Sequence, residues 1–154
     1  EGLLLLLLLL LPSCRLPSPS CPFGRYNGTM SVYEASAEAG FRAGHAVRAP
    51  DGSMEAAHEH DWRVTATFRA GTLNADGFVV DFLAARSALE RATGELAGRD
   101  LNAAIGPPGT GASAERVAEH LAGRLAELLD RQPHCVRVVE APGCVAAFYP
   151  EGPA

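Results

Sequence analysis

Residues 58–69 read His-Glu-His-Asp-Trp-Arg-Val-Thr-Ala-Thr-Phe-Arg, and two chemistries alternate through them without a break. His58, His60, Trp62, Val64, Ala66 and Phe68 fall on one side. Glu59, Asp61, Arg63, Thr65, Thr67 and Arg69 fall on the other. Successive side chains of a strand point to opposite faces of its sheet, so this pattern predicts a β-strand buried on one face only. A strand wet on one face belongs to an antiparallel sheet, because parallel sheets are covered on both. The apolar face ends in two histidines, which places the candidate chemistry at one end of that strand.

Working outward, the segment from Ser31 to Val47 reads as extended, with Phe41, Ala43 and His45 sharing a face. Ala49-Pro50-Asp51-Gly52 and Asn74-Ala75-Asp76-Gly77 carry turn and loop chemistry. Phe82 to Leu96 has helical spacing, with Phe82, Ala85, Leu89, Ala92 and Leu96 on one stripe and Gly98 as the stop. Beyond the Gly/Pro-rich segment Gly106–Gly111, Ser113 caps a second helix that carries Glu115 in its first turn. Its buried positions are Val117, Leu121, Leu125 and Leu128. Cys135 to Ala141 and Cys144 to Tyr149 are strands joined by Pro142-Gly143, the central pair of a type II turn.

The order strand, strand, helix, helix, strand, strand predicts an α+β fold. It is a four-stranded antiparallel sheet with two helices on one face. Such a sheet has two open edges, which predicts a homo-oligomer built edge to edge.

The chain has 154 residues, 47% of them hydrophobic and 20% charged, the balance of one folded domain. A formal net charge of −5 argues against nucleic acid as a partner. All 13 basic residues are arginine, which excludes Schiff-base chemistry on a lysine amine. Leu3–Leu11 is an unbroken leucine run, too short for a membrane span of about 20 residues and without a basic segment before it. We expect residues 1–29 to be a leader outside the fold, either an over-extended start before Met30 or a truncated signal-like segment. The domain is then 30–154. With Ala141 facing Cys144 across the turn, Cys135 falls opposite Pro150, too far from Cys144 to bridge. Unbridged thiols fit a reducing, cytoplasmic setting.

Of five histidines, His45, His58 and His60 are arranged like ligands. Residues two apart on a strand project from one face about 6.5–7 Å apart along the chain. His58 and His60 can therefore converge on one ion, with His45 on the neighbouring strand as third donor. Three imidazoles and an open position make a catalytic zinc site rather than a closed structural one. The alternative is a pair of half-buried histidines that pack like small aromatics. His120 and His134 have no partner at ligand spacing.

Six segments in register resemble the 6-pyruvoyl-tetrahydropterin synthase / 6-carboxytetrahydropterin synthase family. They are Phe41-Arg42-Ala43-Gly44-His45, His58-Glu59-His60-Asp61-Trp62-Arg63-Val64 and Gly77-Phe78-Val79-Val80-Asp81-Phe82. Leu101-Asn102, Ser113-Ala114-Glu115 and Val138-Val139-Glu140 complete the set. The resemblance implies the tunnelling fold, an oligomeric barrel of trimers and hexamers with sites between subunits. It implies Zn2+ on His45, His58 and His60, and Glu140 as pterin anchor and member of the charge relay. It further implies a lyase acting on 7,8-dihydroneopterin triphosphate, as in queuosine biosynthesis.

The chain also departs from the family pattern. Met54 stands where the family has a cysteine, and a thioether has no acidic proton to exchange. Ala97 and Gly98 stand where it has an Asp-His pair. Glu55 can replace the cysteine as proton-handling residue or be an exposed loop carboxylate, and Asp100 can stand in for part of the relay. Arg42 and Arg63 can meet phosphate or face solvent. The other reading is a zinc- and pterin-binding paralogue with a different step or none.

Overall fold

The structure is a computed structural model that describes residues 31–150. The expectations for the leader therefore lie outside the described residues. Within them the chain runs β1 (Tyr33–His45), β2 (His58–Ala70), α1 (Phe82–Gly94), α2 (Leu101–Ala104), α3 (Ala114–Leu129), β3 (Cys135–Ala141) and β4 (Cys144–Phe148).

The four strands form one antiparallel sheet in the order β1-β2-β3-β4. The fold is α+β, as the alternation in β2 requires. On β2, Trp62, Val64, Ala66 and Phe68 are buried and Glu59, Asp61, Arg63 and Arg69 are exposed. α1 packs on β1, α3 on β3 and β4, and the two helices on each other. Between them lies a core of Phe68, Leu89, Leu96, Leu101, Leu121 and Leu125, each essentially removed from water. Burying one such side chain contributes about 1.5–3 kcal/mol.

The two long helices are capped differently. The Asp81 carboxylate accepts the N–H groups of Leu83 and Ala84 at the start of α1. Ser113 is the N-cap of α3 by backbone conformation but makes no side-chain capping bond.

Three details differ from expectation. Phe82 is exposed, since it occupies the first helical position, before the apolar stripe has turned toward the sheet. A short extra helix, α2, forms at Leu101-Asn102 because Asp100 accepts the Asn102 N–H and caps it. A bulge between Val139 and Ala141 shifts the last hairpin by one residue. Val136 pairs with Phe148, so that ladder sets Cys135 against Tyr149, not Pro150. Cys135 and Cys144 remain free thiols. Gly143 has φ 83°, the positive value required at the second central position of the expected turn.

Candidate metal centre and cavity

The register of β1 on β2 builds the site. His45 lies directly opposite His58, and Ala43 opposite His60. The three imidazoles therefore meet at one end of the sheet, with ring centroids 4.7–5.2 Å apart. Trp62 closes the apolar side, 4.9 Å from His45 and 5.6 Å from His60. Its indole N–H donates to the Ala43 carbonyl, so it brings no unpaired polar group.

Glu140 arrives from β3. The bulge leaves it as the unpaired residue of that strand, and bulges re-aim side chains beside functional sites. Pairing of β2 with β3 ends at Arg63 and Val139, so beyond that point nothing separates Glu140 from the histidines. Its Oε1 lies 2.7 Å from His45 Nε2 and 3.5 Å from His60 Nε2. Ligand atoms of His45, His58, His60 and Glu140 all fall within 4.8 Å of one another.

Two of the rings have a settled tautomer. His45 Nδ1 is 2.7 Å from the Ala112 carbonyl, and His58 Nδ1 is 2.9 Å from the Ala56 carbonyl. A carbonyl only accepts, so each Nδ1 carries a proton, and in the neutral ring each Nε2 then presents a lone pair. His45 Nε2 is buried and makes no hydrogen bond, despite the nearby Glu140 oxygen. A buried lone pair facing a carboxylate oxygen is costly unless a proton or a metal cation lies between them. Three imidazoles suit zinc with one position left open, so the residues present fit the ion, and the Glu140 carboxylate stands beside that position.

Glu55 lies beside this cluster. Its Oε1 accepts the Val47 N–H at 2.8 Å and stands 3.9 Å from His58 Nδ1. The remaining candidates are placed elsewhere. The Asp100 carboxylate caps α2, and Ala97 and Gly98 are exposed with no proton to give. Arg42 is held by Glu59 and Asp61 on the wet face of the sheet, and those carboxylates raise its guanidinium pKa further. His134 meets the Tyr149 ring, and His120 lies on α3 near Arg124.

A cavity of about 550 Å³ opens beside Glu140, lined by Val47, Arg48, Glu115, Glu140, Cys144 and Ala146 among others. That volume is within the range of small-molecule sites, about 300–1,000 Å³. A second hollow of about 340 Å³, which includes His60 and Arg63, reaches the other side of Glu140. Glu140 thus borders the histidines and both hollows. From spacing, Glu115 is a favourable charge in a helical first turn. The Ser113 hydroxyl and its own backbone N–H hold its carboxyl below the usual range, which keeps it an ionised acceptor at the cavity wall. The segment Ser113-Ala114-Glu115 carried the signal, but spacing alone does not show that it faces a hollow.

The sequence matches the family model described as 6-pyruvoyl tetrahydropterin synthase over residues 34–151. The chain belongs to that family. Solved structures of 6-pyruvoyl tetrahydropterin synthases share the fold at low identity. The Caenorhabditis elegans protein has a TM-score of 0.64 at 14% identity, covering 78% of this chain and 96% of its own. The Plasmodium falciparum protein has a TM-score of 0.64 at 19% identity, covering 77% and 97%. A Plasmodium vivax 6-pyruvoyltetrahydropterin synthase with a catalytic glutamate replaced by alanine has a TM-score of 0.62 at 16% identity, covering 77% and 97%. Among curated protein sequences none matches. Against this 6-pyruvoyl tetrahydropterin synthase fold, the six motif segments fall on the β1 end, β2, the approach to α1, α2, the start of α3 and the bulge of β3. Among the described residues no helix is long and apolar enough to cross a membrane.

Proposed function

We propose that this chain is a zinc-dependent lyase of the 6-carboxytetrahydropterin or 6-pyruvoyltetrahydropterin synthase type, acting on 7,8-dihydroneopterin triphosphate. The observation that carries this reading is the buried, unbonded Nε2 of His45 where His58, His60 and Glu140 converge. Zinc bound there would supply a Lewis acid for the side-chain hydroxyls of the substrate.

The chain's own residues do the rest. Glu140 accepts two parallel N–H bonds from the amino-pyrimidinone edge of a pterin in the adjoining cavity. Glu115, kept ionised, is a second acceptor on that wall. Glu55 takes up the proton that the family cysteine would handle. Its place beside His58 and the catalytic glutamate of the Plasmodium vivax relative support that role. The active unit is residues 30–154, assembled as a cytoplasmic trimer or hexamer with sites at subunit interfaces.

A second reading has its own support. Met54, Ala97 and Gly98 leave the site without the cysteine and the Asp-His pair of the family pattern. On that reading the chain binds zinc and a pterin but performs a different step or none. Incubating zinc-loaded protein with dihydroneopterin triphosphate and following triphosphate release separates the two. Release that disappears in Glu55→Gln supports the lyase. Pterin binding with no release at high protein concentration retires it in favour of the binder.

A further inference from the structure

We propose that Asn102 is the positioning residue of the metal centre, fixing His45 through a backbone clamp; this rests on His45 being a zinc ligand. Asn102 lies on α2, far in sequence from β1, yet its amide is spent on the chain around His45. Its Oδ1 accepts the Ala46 N–H at 3.3 Å and the Ala112 N–H at 3.0 Å. Its Nδ2 donates to the Ala46 carbonyl at 2.9 Å.

Ala46 is the residue after His45, and Ala112 is the residue whose carbonyl receives His45 Nδ1–H. One side chain therefore holds the backbone that carries the ring and the backbone that orients it. The result is a proton kept on Nδ1 and an Nε2 lone pair aimed at His58, His60 and Glu140. Partners of this kind fix the tautomer and direction of a ligating histidine.

The geometry asks for an amide. Ala46 offers both a donor and an acceptor, so the partner must accept and donate at once. A carboxylate of the same shape would set an oxygen against the Ala46 carbonyl. An apolar side chain would leave three backbone groups unpaired. The Gly/Pro-rich segment before Ala112 has few other ties to this strand end, namely the bridge of Val47 with Gly111 and the bond from Arg48 N–H to the Thr110 carbonyl.

The test is a double-mutant cycle on zinc affinity in the full chain, measured by competition with a chromogenic chelator. Asn102→Ala and Asn102→Asp are each made with His45 present and with His45→Ala. Far- and near-ultraviolet circular dichroism of the metal-free proteins reports the fold. With His45 present, both Asn102 variants should weaken zinc about 10- to 100-fold. In the His45→Ala background they should add less than about twofold, because the ring they position is gone. Cobalt substituted for zinc should show an altered visible spectrum in Asn102→Asp, with circular dichroism unchanged. Equal losses in both backgrounds would mean that Asn102 acts on the fold at large, and would overturn the proposal. So would affinity within twofold of the parent in either single variant. Unchanged zinc affinity in His45→Ala alone would instead retire the ligand reading, and the clamp with it.

Discussion

Glu140 Oε1 stands 2.7 Å from His45 Nε2, although the two residues belong to β3 and β1, which are not neighbours in the sheet. Two departures from a regular ladder bring them together. β2 loses its pairing with β3 beyond Arg63, and the bulge frees Glu140 from the hairpin register. A regular β3 would carry a carboxylate on the side of Val136 and Val138, but nothing would lean it across the end of β2. The sheet is thus irregular where its chemistry is placed, as bulges beside functional sites generally are.

Glu140→Gln keeps the shape of this side chain and removes its charge. A hydrogen bond to a charged group is worth about 1.5–3 kcal/mol, so pterin binding should weaken roughly 10- to 150-fold. Zinc should be retained better than in His45→Ala, since three imidazoles remain. Titrating neopterin fluorescence and assaying metal in both variants checks this. Pterin affinity unaltered by the substitution would remove Glu140 from the binding role.

His58→Ala removes one of three imidazoles, and bound zinc should fall to a small fraction of the parent level. His120→Ala alters a histidine near Arg124 and Glu95, remote from the cluster, and should leave metal content unchanged. Elemental analysis of both purified proteins decides the matter. Equal metal in the two would contradict the ligand assignment.

The strand pattern of residues 58–69 was enough to place the histidines, because a period of two admits a single face for His58, His60 and the core residues. His45 was legible for the same reason, once its strand was paired with the next. Other features depended on contacts far apart in sequence. The bulge at Glu140 moves the hairpin by one residue, and a one-residue slip cannot be seen in Val-Val-Glu-Ala. Phe82 fits the helical stripe by spacing but sits at the first turn, where the helix has not yet reached the sheet. Asn102 stood out only as half of the Leu101-Asn102 segment, and its role was not legible, since the amide's value lies in Ala46 and Ala112, which the fold brings to it.

Gly111 adopts φ 80°, and a Cβ built there would lie 1.9 Å from the Ala46 carbonyl oxygen. Gly109 adopts φ 79° with open space around it. Both should suffer from substitution by alanine, Gly109→Ala by about 1–2 kcal/mol for the left-handed backbone alone. Gly111→Ala must in addition push the loop away from β1, so its melting temperature should fall further. Each kcal/mol corresponds to roughly 3–4 °C in a domain of this size. Because the displaced segment carries Ala112, zinc affinity should drop in Gly111→Ala and hold in Gly109→Ala. Thermal unfolding and chelator competition on the pair measure both effects, and identical behaviour of the two variants would refute the close approach.

His120 supplies a pH dependence separable from that of the carboxylates. Burial, and then the neighbouring Arg124, lower its pKa below the ordinary 6.5, while Glu95 and Glu127 oppose the shift. The unfolded chain therefore binds a proton below 6.5 that the folded chain resists, and stability must fall as pH drops through that range. Glu95 and Glu115 are also lowered, from 4.5, so their contributions are present above that value and lost only below it. The interval from pH 6.5 to 4.5 thus belongs to His120 among these three. Urea unfolding of the metal-free protein at pH 7.5 and pH 5 should show a loss on acidification that shrinks in His120→Gln. The metal-free form matters because imidazoles at the cluster would otherwise couple zinc release to the same titration. Should parent and variant lose the same stability between the two pH values, His120 would not be the group that resists protonation.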